Sequence, residues 1–143
     1  MKFKIPLELV LLEAAGCHLL VKAKWKKRKL RLVLDTGASK TVFDIAQLRE
    51  WFPELQLNKS DQASAGLGTQ SMESATFSLT DFKLGKCPIE GIEAAALDLQ
   101  NILSTYDQLE EGPIHGILGG DILLEYHALI DYRKLRLTLH DAE

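Results

Sequence analysis

The chain has 143 residues, 46% of them hydrophobic and 26% charged, which suits one globular core and leaves too little for two. Its 17 Lys and Arg against 20 Asp and Glu give a formal charge of -3, which excludes a generally basic nucleic-acid binder while leaving local basic patches possible. No run of about 18 apolar residues occurs, and the apolar stretch 5–20 is interrupted by Pro6, Glu8, Glu13 and His18, so no membrane span and a cytoplasmic protein are expected.

In chain order, Leu7-Glu8-Leu9 alternates as a strand does. His18 to Trp25 and Leu30 to Leu34 then form two apolar runs around Lys26-Lys27-Arg28-Lys29, the pattern of a hairpin with its tip in water. Asp35-Thr36-Gly37-Ala38-Ser39 follows, and Thr41-Val42-Phe43 is short and β-prone. Asp44 can cap a helix from Ile45 to Phe52, with Gln47 placed to reach back to the cap and Pro53 ending the run. The segment 58–68 turns to Ser, Asp, Gln, Ala and Gly, and Gly66-Leu67-Gly68 reads as a glycine-tipped hairpin or loop. Thr76 to Leu79 alternates, Leu84-Gly85-Lys86 reads as a turn, and Ile89 to Leu97 reads as one strand. Asp98 to Glu111 is a polar connection in which a helical turn is open. Ile114 to Leu118 predicts a buried strand, Asp121 to Tyr126 a short helix, and 128–130 with 135–139 a closing hairpin that turns at Tyr132-Arg133-Lys134.

Two segments carry chemistry. Asp35-Thr36-Gly37 presents a carboxylate at a strand-to-loop turn where glycine permits unusual backbone angles and close approach of another chain. Much later, Ile117-Leu118-Gly119-Gly120-Asp121 sets two bulky apolar residues before glycine. The plainer alternative makes Asp35 a turn residue bonding its own backbone, and Gly119-Gly120 a tight strand-to-helix turn with Asp121 as an ordinary N-cap.

Val33-Leu34-Asp35-Thr36-Gly37-Ala38, together with Ile117-Leu118-Gly119, resembles the retropepsin-like aspartic proteases, in particular their bacterial single-domain branch. The run Gly116 to Leu123 through Leu129-Ile130-Asp131-Tyr132 is similar to that branch's ending, and Ala65-Gly66-Leu67-Gly68-Thr69 is similar to the tip of its flap. The resemblance covers residues 7–139. It implies one domain over 1–143, an all-β fold with a few short helices, and a closed antiparallel barrel with a flap. It also implies an aspartic endopeptidase that needs no cofactor and no metal. Lys26-Lys27-Arg28-Lys29 stands where relatives often place Asn-Gly, and the connection 98–111 has no assignable counterpart.

Hydrolysis by such a site needs one carboxyl to take a proton from water and another to give one to the carbonyl oxygen. Two adjacent carboxyls sharing a proton do both. No aspartate other than Asp35 is followed by Thr-Gly or Ser-Gly, so the second carboxylate is expected from Asp35 of a second copy in a homodimer. The resemblance implies that Thr36 bonds across that two-fold axis and that Gly37 lets the loops approach. It further implies that Ala38, Ala65, Gly66, Leu67, Gly68 and Ile117 contact an extended peptide or protein substrate. Ala38 can donate nothing to the carboxylate where serine could, so an activity profile centred at mildly acidic to near-neutral pH is expected.

The alternative is a catalytically silent retropepsin-like dimerisation or peptide-binding module. The basic run around Trp25 reads as a solvated hairpin, and no nucleic acid is expected as a partner. The four histidines are scattered without ligand spacing, so no zinc site is expected. Cys17 and Cys87 read as reduced thiols, a single disulfide between them remaining open.

Overall fold

The computed structural model describes residues 1–11, 16–59, 74–108 and 112–141, of which 106–108 by backbone alone. The first strand, β1 (Lys2–Leu11), is ten residues long and changes partner at its midpoint. Its first half pairs with the last strand, β12 (Arg136–His140), and its second half with β2 (Cys17–Trp25). Pro6, the break seen in the sequence, sits at that changeover opposite Arg136, where a missing N–H is tolerated. The N-terminal ammonium meets Asp141 at 2.8 Å, which closes the terminal ladder.

From β2 the chain turns at Lys26-Lys27 into β3 (Arg28–Leu34), Trp25 lying opposite Arg28, and Lys26 takes a positive φ of 56° to make so tight a turn. β4 (Val42–Asp44) runs into α1 (Ile45–Trp51). Asp44 caps this helix by accepting from the Gln47 N–H at 3.1 Å, while the Gln47 side chain turns to Glu50 instead of back to the cap. The other oxygen of Asp44 accepts from the Leu99 N–H at 2.9 Å, so one buried carboxylate holds two segments.

The sequence expectation of one strand from Ile89 to Leu97 is corrected. β8 (Cys87–Ile89) ends at a turn where Gly91 has a φ of +73°, and β9 (Ile92–Leu97) begins beyond it. β8 pairs with β7 (Phe82–Leu84), itself hydrogen-bonded to β2, and Gly85 at φ +58° makes the turn between them. β5 (Asn58–Lys59) pairs with β6 (Ser74–Leu79), and β6 with β9. The polar connection holds α2 (Gln100–Gln108), a nine-residue helix where the sequence left a helical turn open. The Asp98 side chain starts it by accepting from the Gln100 N–H. β10 (Gly116–Leu118), α3 (Gly120–Glu125) and β11 (Leu129–Asp131) complete the chain.

The strands follow the order β11-β12-β1-β2-β3-β10-β4-β9-β6-β5, with β7 and β8 attached to β2. The fold is thus mostly β with three short helices among the described residues, as expected. The expected closed antiparallel barrel is not what the described residues form, because their path is open at β11 and β5 and the β3–β10 and β4–β9 pairs are parallel. No helix among them is long and apolar enough to cross a membrane.

Trp25 is 1% exposed and anchors the main core, its ring 4.8 Å from Phe43, 4.7 Å from Phe52 and stacked on Phe77 at 5.6 Å. A second, smaller cluster of Val10, Leu20, Val33 and Ile114 lies on the opposite face of β2 and β3. Cys17 is exposed and Cys87 buried, and both are free thiols. Burial, with a smaller contribution from Asp141, pushes the Cys87 thiol up to about 11.

Candidate active site

β10 lies between β3, to which it runs parallel, and β4, to which it runs antiparallel, with Ile117 opposite both Val33 and Val42. This insertion joins the two motifs that lie far apart in the sequence. The ladder continues one residue beyond β3, where the Asp35 N–H donates to the Leu118 carbonyl at 3.0 Å. Asp35 is therefore delivered at a fixed height beside Gly119.

The Asp35-Thr36-Gly37-Ala38 turn is closed by the Ala38 N–H donating to the Asp35 carbonyl at 3.1 Å. Inside it, Asp35 Oδ1 accepts from the Gly37 N–H at 2.9 Å, which orients the carboxylate and leaves Oδ2 without a bond among the described residues. A Cβ at Gly37 would lie 3.2 Å from that same Oδ1. Glycine here supplies room rather than the unusual backbone angles anticipated from the sequence, since Gly37 is not among the residues with positive φ. Asp35, Thr36 and Gly37 are all exposed, so the turn projects its carboxylate and hydroxyl outward.

Two residues to which the sequence reading gave no part in the site hold this loop. Thr41, wholly buried, donates its hydroxyl to Asp121 Oδ1 at 2.8 Å and its N–H to Asp121 Oδ2 at 3.0 Å. The same hydroxyl accepts from the Gly119 N–H at 3.1 Å, and the Ala38 carbonyl accepts from the Gly120 N–H at 2.7 Å. The N-cap reading of Asp121 is corrected: the cap of α3 is Gly119, and Asp121 lies within the first turn, its Oδ1 also accepting from the Ile122 N–H. The close approach explains the glycines: a Cβ at Gly119 would stand 2.5 Å from the Lys40 carbonyl oxygen, and one at Gly116 2.4 Å from that of Val42. A threonine six residues past Asp35 and an acid just past the paired glycines were visible in the sequence. Nothing in their spacing said that they would meet.

Behind β10, the His115 N–H donates to the Arg31 carbonyl at 2.9 Å, and His115 Nδ1 accepts from the Arg31 N–H at 3.0 Å. Its ring lies 5.3 Å from that of Trp51, and burial lowers its pKa below the ordinary value. Arg31 is held by Glu8 at 3.2 Å and by the Pro113 carbonyl at 3.3 Å. The entry of β10 into the sheet is therefore fixed on both sides.

Ile117 is half-buried and packs against both the Val10, Leu20, Val33 and Ile114 cluster and a third one of Val42, Ala95, Leu97 and Leu99. Ala38 is half-buried at the base of the turn. Ala65, Gly66, Leu67 and Gly68 lie outside the described residues. No group of three or more His, Cys, Asp or Glu among the described residues is arranged to hold a metal ion. Chemically, the arrangement offers one outward carboxylate with one oxygen engaged by its own turn. Among the described residues Asp35 makes no bond to another carboxyl of the same chain.

The comparisons with known proteins agree with this geometry. The chain is similar in structure to a retropepsin-like aspartic protease from Rickettsia conorii, with a TM-score of 0.54 and 17% identity over 97% of this chain and 88% of that one. It is also similar to the retroviral protease-like domain of Ddi1 from Leishmania major, with a TM-score of 0.60 and 14% identity over 87% of this chain and 90% of that one. No curated protein sequence matches it. The profile of a family described as aspartyl protease matches residues 21–122, a span holding Asp35, Thr41, Gly119 and Asp121, and the chain belongs to that family, with the fold of its retropepsin-like members.

Proposed function

We propose that the chain is an aspartic endopeptidase that cleaves extended peptide segments as a homodimer, each copy contributing Asp35. The observation that carries this reading is the outward carboxylate of Asp35 on a turn held from behind by Ala38–Gly120 and Thr41–Asp121 bonds. A second copy meeting the first at this loop would set two carboxylates about 3 Å apart, close enough to share one proton. One could then accept a proton from water while the other donates to the scissile carbonyl. Thr36 is exposed beside Asp35 and able to bond across such an axis. Substrate contacts fall to Ala38 and Ile117, with residues 65–68 closing over the peptide.

The test is cleavage of an unfolded protein mixture by the wild type and by Asp35→Asn, which keeps shape and removes charge. Cleavage by the wild type alone supports the reading. Equal cleavage by both, or none by a dimeric wild type across the pH range, assigns the chain to the silent dimerisation or peptide-binding class instead.

A further inference from the structure

The outer face of β2, β3 and β7 bears a row of lysines that the sequence could not assemble. Lys24 in β2 lies directly opposite Lys29 in β3 on one side and directly opposite Lys83 in β7 on the other. Directly opposed residues share a face at a strand spacing of about 4.8 Å, so the three lysines root within about 10 Å of one another, and like charges directly opposite across strands oppose folding. Lys22, two residues from Lys24, adds a fourth on the same face. All four are exposed, and none makes an ion pair among the described residues. The nearby cations are already engaged, Arg31 with Glu8, Lys26 with Asp81 at 3.9 Å, and Arg28 over the Trp51 ring at 4.8 Å.

The row lies where the sheet's cover ends. Toward Leu20 and Val33 the same face is roofed by Ile114 and Leu103. At Lys24 and Lys83 it opens into a depression of about 350 Å³ lined also by Lys26, Pro88 and Ile89 and, at its far side, by the carboxylates Asp81, which pairs with Lys26, and Glu90. Lys29 is separated from Asp35 by the length of β3, about 20 Å at strand rise, so this face is distinct from the candidate active site.

We infer that this face is a docking surface for an acidic, extended segment of another protein. Charge complementarity supplies the attraction, and carboxylates on one side of an extended chain recur about every 7 Å, within reach of lysines on flexible stems. Nucleic acid fits less well. The chain is acidic overall, and Trp25 and Phe82 are each 1% exposed and offer no stacking surface. The inference does not depend on Asp35, because binding is read without cleavage.

The experiment titrates the full chain into a fluorescein-labelled oligoglutamate of about ten residues at about 50 mM salt, reading polarisation. Combining Lys24→Gln, Lys29→Gln and Lys83→Gln is expected to weaken binding about tenfold. Combining Lys2→Gln, Lys4→Gln and Lys134→Gln, the same charge change elsewhere, should weaken it less than about twofold. The triple variant of the face should also melt no lower than wild type, since like-charge crowding is relieved. If it does not fold, Lys83→Gln alone is expected to weaken binding about twofold to threefold. Absence of binding by the wild type, equal weakening by both triple variants, or tighter binding of a single-stranded DNA of equal charge through the same lysines would overturn the inference.

Discussion

Asp121 and Thr41 stand 80 residues apart in the chain and meet in two hydrogen bonds, 2.8 Å from the Thr41 hydroxyl and 3.0 Å from its N–H. Through that hydroxyl the pair also holds the Gly119 N–H. One carboxylate therefore sets the distance between the residue that leads into β4 and the start of α3, and with it the seat of Asp35. Asp121→Ala leaves the buried Thr41 N–H and the Thr41 hydroxyl proton without acceptors and should cost about 1–3 kcal/mol of stability. Asp121→Asn keeps one acceptor and should cost less. If Asp35 is catalytic, Asp121→Ala should also lower kcat more than it changes KM, because it acts on the position of a reacting group. Urea melts and initial rates on the same samples check both.

The glycines beside this pair separate cleanly. Gly119→Ala places a Cβ 2.5 Å from the Lys40 carbonyl and 2.9 Å from that of Ala38, both backbone atoms that cannot swing away, and should destabilise by about 2 kcal/mol or more. At Gly120 the nearest atom is the Ala38 carbonyl oxygen at 3.4 Å, ordinary contact, and the residue opens a helix. Gly120→Ala should therefore be neutral within about 0.5 kcal/mol, or slightly stabilising through helix propensity. Thermal melts of the two variants side by side decide it.

The pH dependence of stability should carry a signature of His115. Its pKa is lowered in the fold, first by burial, and its Nδ1 is committed as an acceptor from the Arg31 N–H. The unfolded chain binds a proton near pH 6.5, whereas the folded chain does so only at lower pH. The stability that neutral His115 contributes is thus fully present above about pH 6.5 and is lost as pH falls through the folded pKa. The urea midpoint of wild type should decline between pH 7 and pH 5, and that of His115→Gln should decline less over the same window. Parallel declines would assign the acid sensitivity to other groups.

Trp25 makes a prediction about packing against polarity. Its indole N–H has no partner among the described residues, while its ring touches Phe43, Phe52 and Phe77. Trp25→Ala should cost about 4 kcal/mol through the cavity it leaves. Trp25→Phe should cost less than half as much, because it removes a buried unpaired donor along with part of the ring. Guanidinium melts measure the two differences.

The sequence made the hairpin at Lys26, the capped helix after Asp44, the closing hairpin and the motif strand before Asp35 legible, because each rests on local periodicity and turn chemistry. It did not reveal β7 and β8, whose three-residue strands are too short for alternation to stand out, or the split of the long apolar run at Gly91. The length of β1 was hidden by Pro6, a residue that breaks most strands and here marks a change of partner. Within the site, Asp35 and its turn were legible, and the Thr41–Asp121 tie was not. A contact across 80 residues appears only once β10 is seen between β3 and β4. The open strand path with its two parallel pairs was likewise beyond reach, since hydrophobic pattern alone does not say which strands meet or in which direction.

The central claim, that two copies of Asp35 from two chains make one site, is tested most directly by poisoning. A fixed amount of wild type is refolded with increasing Asp35→Asn protein at concentrations where sedimentation shows only dimers, and peptide cleavage is measured. Random pairing places about half of the wild-type copies in mixed dimers at an equimolar ratio, so activity should fall to about half and approach zero in large excess of the variant. Activity that stays constant as the variant is added would show that a single Asp35 suffices and would contradict the two-carboxylate site.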